Sequence, residues 1–91
     1  MNIQLTPYFE KQMRELPKPT RLSVVDILES CEAAPSLSSI KHLKSLSSRK
    51  GKRYYRIRSG VYRIGFELIN DILIFRSVGT RGGFYKEFPP K

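Results

Sequence analysis

The hydrophobic pattern changes period part-way along the chain. Asn2 to Leu5 is a short strand candidate with apolar Ile3 and Leu5. Thr6-Pro7 then reads as a helix start, with Thr as N-cap and Pro at the first helical position. Phe9, Met13 and Leu16 follow at i, i+4 and i+7, one face of a helix. Pro17 and Pro19 end it. Thr20 caps a second helix to about Ala33, with Val24, Ile27, Leu28 and Cys31 as its apolar set and Leu22 and Val25 widening the stripe. So short a connection makes the two helices an antiparallel pair. Both need a sheet to pack on.

From Lys52 onward the period is two. Tyr54 to Arg58, Val61 to Ile69 and Ile72 to Val78 read as strands, with Ser59-Gly60 and Asn70-Asp71 as tight turns. Ile72-Leu73-Ile74-Phe75 is apolar on both faces, as in a central strand. Residues 35–51 read as an ordered surface connection, with a short helical turn possible around Ile40, Leu43 and Leu46. The tail Gly79 to Lys91 reads as loop or edge structure. The expectation is one α+β domain over residues 1–91, in the order β-α-α-β-β-β. Two helices pack on one face of an antiparallel C-terminal sheet, and the other face is left for function.

Charge gives that free face a character. The chain carries 17 basic and 8 acidic residues, a net +9. Residues 1–48 hold six basic and five acidic groups, and residues 49–91 hold eleven and three. Such asymmetry points to nucleic acid or another polyanion. Alternation puts Lys52, Tyr54, Arg56 and Arg58 on one face of the hairpin and Arg53, Tyr55 and Ile57 on the other. The hairpin returns Arg63 beside Arg56 and Arg58. Arg81 lies just past the third strand, with Tyr85 four residues on. Arg76 and Lys86 add charge nearby.

The remaining chemistry is sparse. A lone cysteine, Cys31, excludes an internal disulfide and a cysteine-based metal site, and it reads as a small core residue. No phosphate-binding loop, dinucleotide fingerprint or metal-spaced cluster is present, so no cofactor is expected. His42, in a basic stretch, is expected on the surface, and paired carboxylates are poorly supported. Nothing reads as a signal peptide, and no apolar run approaches the roughly 20 residues of a membrane span. A cytoplasmic protein without a membrane partner is expected. The converging arginines and tyrosines suit RNA: guanidinium groups grip phosphate, and a tyrosine stacks on a splayed base. With the 2′-hydroxyl attacking its own phosphate, concentrated cations could support cleavage without a metal.

These motifs resemble the RelE/ParE superfamily of bacterial type II toxins. Tyr55-Arg56-Ile57-Arg58-Ser59-Gly60-Val61-Tyr62-Arg63-Ile64 looks like the family's Tyr-Arg-Ile-Arg-x-Gly-x-Tyr-Arg core. Gly79-Thr80-Arg81, followed by Tyr85, looks like its Gly-x-Arg segment, and Lys41-His42-Leu43-Lys44 resembles the basic segment before the core. The resemblance implies a ribosome-dependent mRNA endonuclease, or mRNA interferase, acting in the ribosomal A site. It also implies an acidic cognate antitoxin, whose complex with the toxin can bind operator DNA, and a bacterial cytoplasm. By position, Arg56 and Arg58 stand where the RelE branch has cleavage-site lysines. Arg63 stands at the phosphate-stabilising arginine, Arg81 at the arginine linked with leaving-group protonation, and Tyr85 at the base-stacking tyrosine. Lys44, Lys50, Lys52, Arg53 and Lys86 are the expected RNA-binding cations. Arginine stays protonated and is no conventional base, so the expected base is Lys52, Tyr85 or a ribosomal group. The alternatives are a ParE-like inhibitor of DNA gyrase and a non-catalytic RNA- or ribosome-binding module.

Overall fold

A computed structural model describes residues 1–46 and 51–90. Among the described residues, five strands form one sheet in the order β1-β5-β4-β3-β2. They are β1 (Asn2–Leu5), β2 (Leu43–Leu46), β3 (Tyr54–Ser59), β4 (Tyr62–Ile69) and β5 (Ile72–Thr80). β1 lies parallel to β5, and the β2 to β5 neighbours are antiparallel. Helices α1 (Pro7–Glu15) and α2 (Lys18–Ala33) follow β1, and α3 (Arg81–Glu87) follows β5. The α+β class and the antiparallel C-terminal strands are as expected.

The start of α1 is the one its sequence specifies. Pro7 stands in the first turn, and the Thr6 hydroxyl accepts from the Phe9 amide at 3.1 Å. α2 starts earlier than Thr20. Pro17 is its N-cap, and Pro19 falls in the first turn, where a missing N–H costs nothing. Its stripe is also narrower: Val24, Leu28 and Cys31 are buried while Leu22 and Val25 stay exposed.

Both hairpin turns use left-handed backbone. Gly60 has φ +59°, so the turn is Gly60-Val61 and β3 runs on through Ser59. Asn70 and Asp71 have φ +49° and +64°, the pattern of a tight hairpin that these residue types tolerate.

The sheet's first face carries Ile57, Ile64, Phe66, Leu68, Leu73, Phe75 and Val78, packed with Phe9, Met13, Val24, Leu28 and Cys31 of the helices. Burying each large side chain contributes about 1.5–3 kcal/mol.

Two regions differ from expectation. The connection over 35–51 contains strand β2, paired with β3 from Leu43↔Ile57 to Leu46↔Tyr54. The tail from Gly79 is not a loop. β5 continues to Thr80, and α3 then packs Phe84 and Phe88 on the second face against Tyr54 and Leu46. Gly65 makes room for it: a Cβ there would sit 2.6 Å from Phe88 Cε2 and 2.8 Å from Phe84 Cε1. The second face is therefore partly covered by a helix.

Candidate active site

Register assembles the second face. Arg58 lies directly opposite Arg63, Arg56 opposite Gly65, and Lys44 opposite Arg56 on the other side. Gly79 is the partner of Arg63 on β5, so Arg81, two residues further, enters α3 beside that end of the sheet.

Helical geometry decides where α3 aims its side chains. Phe84 faces the sheet. Tyr85 and Glu87 lie on opposite flanks of it, at about +100° and −60°. Glu87 faces α1: the Tyr8 hydroxyl donates to its two carboxylate oxygens at 2.9 and 2.8 Å, and the Gln12 amide donates at 3.4 Å. That bond raises the Tyr8 pKa, because the neighbouring carboxylate favours the protonated phenol. Tyr85 therefore lies on the flank away from α1, with Arg81 one turn before it. Tyr85 is 43% exposed, with its ring edge-on to Phe84 at 5.0 Å.

Two arginines are held by neutral carbonyls. Arg63 Nη1 donates to the Gly60 and Tyr62 carbonyls, both at 3.0 Å. Its two hydrogens are thereby used, and the Nε–Nη2 edge, suited to bidentate phosphate binding, remains. Arg56 Nη1 donates to the His42 carbonyl at 2.9 Å, while its buried Nε has no partner among the described residues.

The other expected cations divide. Lys44 is exposed on this face, and Lys86 is exposed on α3. Arg53 belongs to the opposite face, where its Nη2 donates to the Tyr55 hydroxyl at 2.9 Å and its guanidinium lies 5.9 Å from that ring's centre. Lys50 lies outside the described residues. Lys52 stands 3.8 Å from the Glu67 carboxylate, which also accepts from Arg76 Nε at 2.9 Å. At about 3.3 Å per residue, Lys52 is roughly 20 Å along the strand from Arg58. Tyr54 is covered by α3, edge-on to Phe88 at 5.2 Å, and offers no stacking surface. The expectation of a loop or edge after Gly79 does not include α3, while His42 is exposed, as expected. The Phe84/Phe88 spacing, with Lys86 in a last turn, was the available signal for the helix.

No family model matches the chain. It is 37% identical over 90 residues to Toxin RelE3 of Methanocaldococcus jannaschii, covering 98% of this chain and all of that one. The chain belongs to the RelE toxin family. Its fold also matches the RelE of the Methanococcus jannaschii RelB–RelE complex, at TM-score 0.71 and 34% identity over 93% of this chain and 98% of the other. The Pyrococcus horikoshii RelE–RelB complex matches at TM-score 0.72 and 18% identity over 89% and 94%. The Escherichia coli RelBE complex matches at 0.62 and 20% over 87% and 94%; these two similarities concern the fold alone. RelE proteins thus occur in archaea as well as bacteria, which widens the expected bacterial source. Among the described residues, no helix is long and apolar enough to cross a membrane.

Proposed function

We propose that this RelE toxin is a ribosome-dependent mRNA endonuclease, restrained by a cognate antitoxin. The observation that supports the reading is the facing pair Arg58 and Arg63, with α3, which carries Arg81 and Tyr85, starting at the same end of the sheet, where the Arg81 amide donates to the Val61 carbonyl at 3.0 Å. In this reading Arg63 holds the scissile phosphate through its Nε–Nη2 edge. Arg56 and Arg58 offset charge as the 2′-oxygen attacks. Arg81 stabilises the leaving 5′-oxygen, and Tyr85 stacks on a base splayed from the strand. Lys44 and Lys86 attract the flanking backbone. No step in this scheme calls for a metal ion. RelB partners in the relatives' structures support an antitoxin for this chain, and we expect it to be acidic, against a net charge of +9. Operator binding by the complex would run through that antitoxin.

The test is brief expression of the chain, followed by mapping of mRNA 5′-ends and plasmid supercoiling. The expected result is in-frame cuts within codons, reduced by at least about tenfold in Arg63→Lys, which loses the bidentate fork. Double-strand DNA breaks without RNA cuts would identify a gyrase inhibitor instead. Translation arrest with neither kind of break would identify a binding module.

A further inference from the structure

The proposed chemistry lacks a proton acceptor. Arginine is not a base at neutral pH, and a phenol ordinarily ionises near pH 10. Lys52 is paired with Glu67, far along the strand from Arg58. We propose that His42 accepts the proton of the attacking 2′-hydroxyl; the inference rests on the nuclease reading above.

Three observations support this assignment. First, it lines a cavity of about 870 Å³ between α2 and the β3–β4 turn, together with Arg58 and Arg63. Ile27, Ile40 and Ile57 also line this cavity. In this proposal the scissile phosphate sits at the turn end of β3 and β4, where the cavity on the α2 side meets Arg63 of the second face. Second, the His42 backbone is the anchor of the arginine cluster. Its carbonyl accepts from the Arg58 amide at 3.2 Å and from Arg56 Nη1 at 2.9 Å. Third, His42 has φ +60°, left-handed backbone that few residue types adopt readily. It thus interrupts the extended chain just before β2, and its side chain remains exposed. It is the only histidine in the sequence, and imidazole is the side-chain base that ordinarily titrates near neutrality. The charged groups around it are Lys41, Arg58 and Arg63 in the cavity and Arg56 at its carbonyl; among the described residues, no carboxylate lines the cavity.

The step balances as follows. The 2′-OH proton passes to the imidazole as the O2′–P bond forms and the P–O5′ bond breaks. The products are a 2′,3′-cyclic phosphate and a 5′-hydroxyl. The 5′-oxygen takes its proton from water, and the imidazolium returns its own to the resulting hydroxide.

His42→Asn is the test, because asparagine tolerates left-handed backbone and leaves the anchoring carbonyl in place. Single-turnover cleavage on programmed ribosomes should fall by about 10²- to 10⁴-fold, with half-saturation within about threefold of wild type. The pH–rate profiles of His42→Asn and wild type should differ, because only wild type carries the imidazole. In His42→Gly, added imidazole should restore part of the rate. Wild-type-like rate and pH profile in His42→Asn would overturn the inference and leave the nuclease reading standing. Absence of cleavage by wild type itself would overturn both. A melting curve on each variant separates loss of chemistry from loss of fold.

Discussion

Gly65→Ala tests whether α3 is the part of the fold that makes the site. The added methyl would sit 2.6 and 2.7 Å from Phe88 Cε2 and Cδ2, and 2.8 Å from Phe84 Cε1. Carbon atoms pack best at about 3.5–4.0 Å, so both rings must withdraw by about 1 Å. Overpacking of this kind costs about 1–3 kcal/mol. The strain falls on α3 rather than on the sheet, because a helix of seven residues is not stable alone. What holds it is Phe84, Phe88 and the Tyr8–Glu87 bond. Its undocked population should rise by about 5- to 150-fold, taking Arg81 and Tyr85 out of position. Hydrogen exchange should show faster exchange at the Phe84 and Phe88 amides, with little change at Ile64. Single-turnover cleavage should fall in parallel. Gly79→Ala is the matched control: it lies on the same face, but its Cβ would meet its nearest neighbour, the Phe84 nitrogen, at 3.9 Å. If Gly65→Ala exchanges and cleaves like Gly79→Ala, α3 does not gate the site.

Other outcomes follow from single buried groups. Burial pushes the Cys31 thiol from 9.0 up to about 11. The native state then keeps its proton to higher pH than the unfolded chain, so this contribution is intact below about pH 9 and is lost between about pH 9 and 11. Urea unfolding across that window should show up to about 3 kcal/mol more alkaline loss in wild type than in Cys31→Ala; equal slopes would refute it. Glu67→Gln leaves Arg76 and Lys52 without their carboxylate. It should cost about 1–2 kcal/mol, since Arg76 is partly exposed, and an unchanged urea midpoint would refute the pairing's role.

The sequence was legible where one local rule governed. Thr6-Pro7 had a single sensible reading as a cap, and the alternation through Tyr54–Arg58 assigned both sheet faces correctly. It was illegible where tertiary contacts decided. Leu43–Leu46 has only two apolar residues and becomes a strand because β3 offers it an edge. Arg81–Glu87 opens with Arg81-Gly82-Gly83, a poor helical start, and it folds because Phe84 and Phe88 find the space over Gly65. Pro19 looked like a breaker and is a first-turn residue. At the site, spacing put Arg56, Arg58 and Arg63 together. His42 is exposed as expected, but its left-handed backbone and the bond from Arg56 Nη1 to its carbonyl are not visible in a residue pattern.

The way each end of the β3–β4 ribbon handles its charge argues for a polyanion at one end only. At the Tyr54 end, Lys52 and Arg76 share the buried Glu67 carboxylate, so their charge is offset within the fold. At the turn end, Arg58 and Arg63 face each other across the ladder, an arrangement that repels. Stability alone would favour a carboxylate there. The described residues supply carbonyls instead, from Gly60, Tyr62 and His42, which fix Arg63 and Arg56 in place without neutralising them. A carboxylate partner would have to be displaced before phosphate could bind, whereas a carbonyl-held guanidinium keeps its charge and its free donors. Placing a glutamate at Lys44, directly opposite Arg56 on this face, should therefore stabilise the free protein slightly while weakening RNA engagement. Lys44→Glu with undiminished cleavage and lower thermal stability would show that the arginines' repulsion is not kept for a ligand.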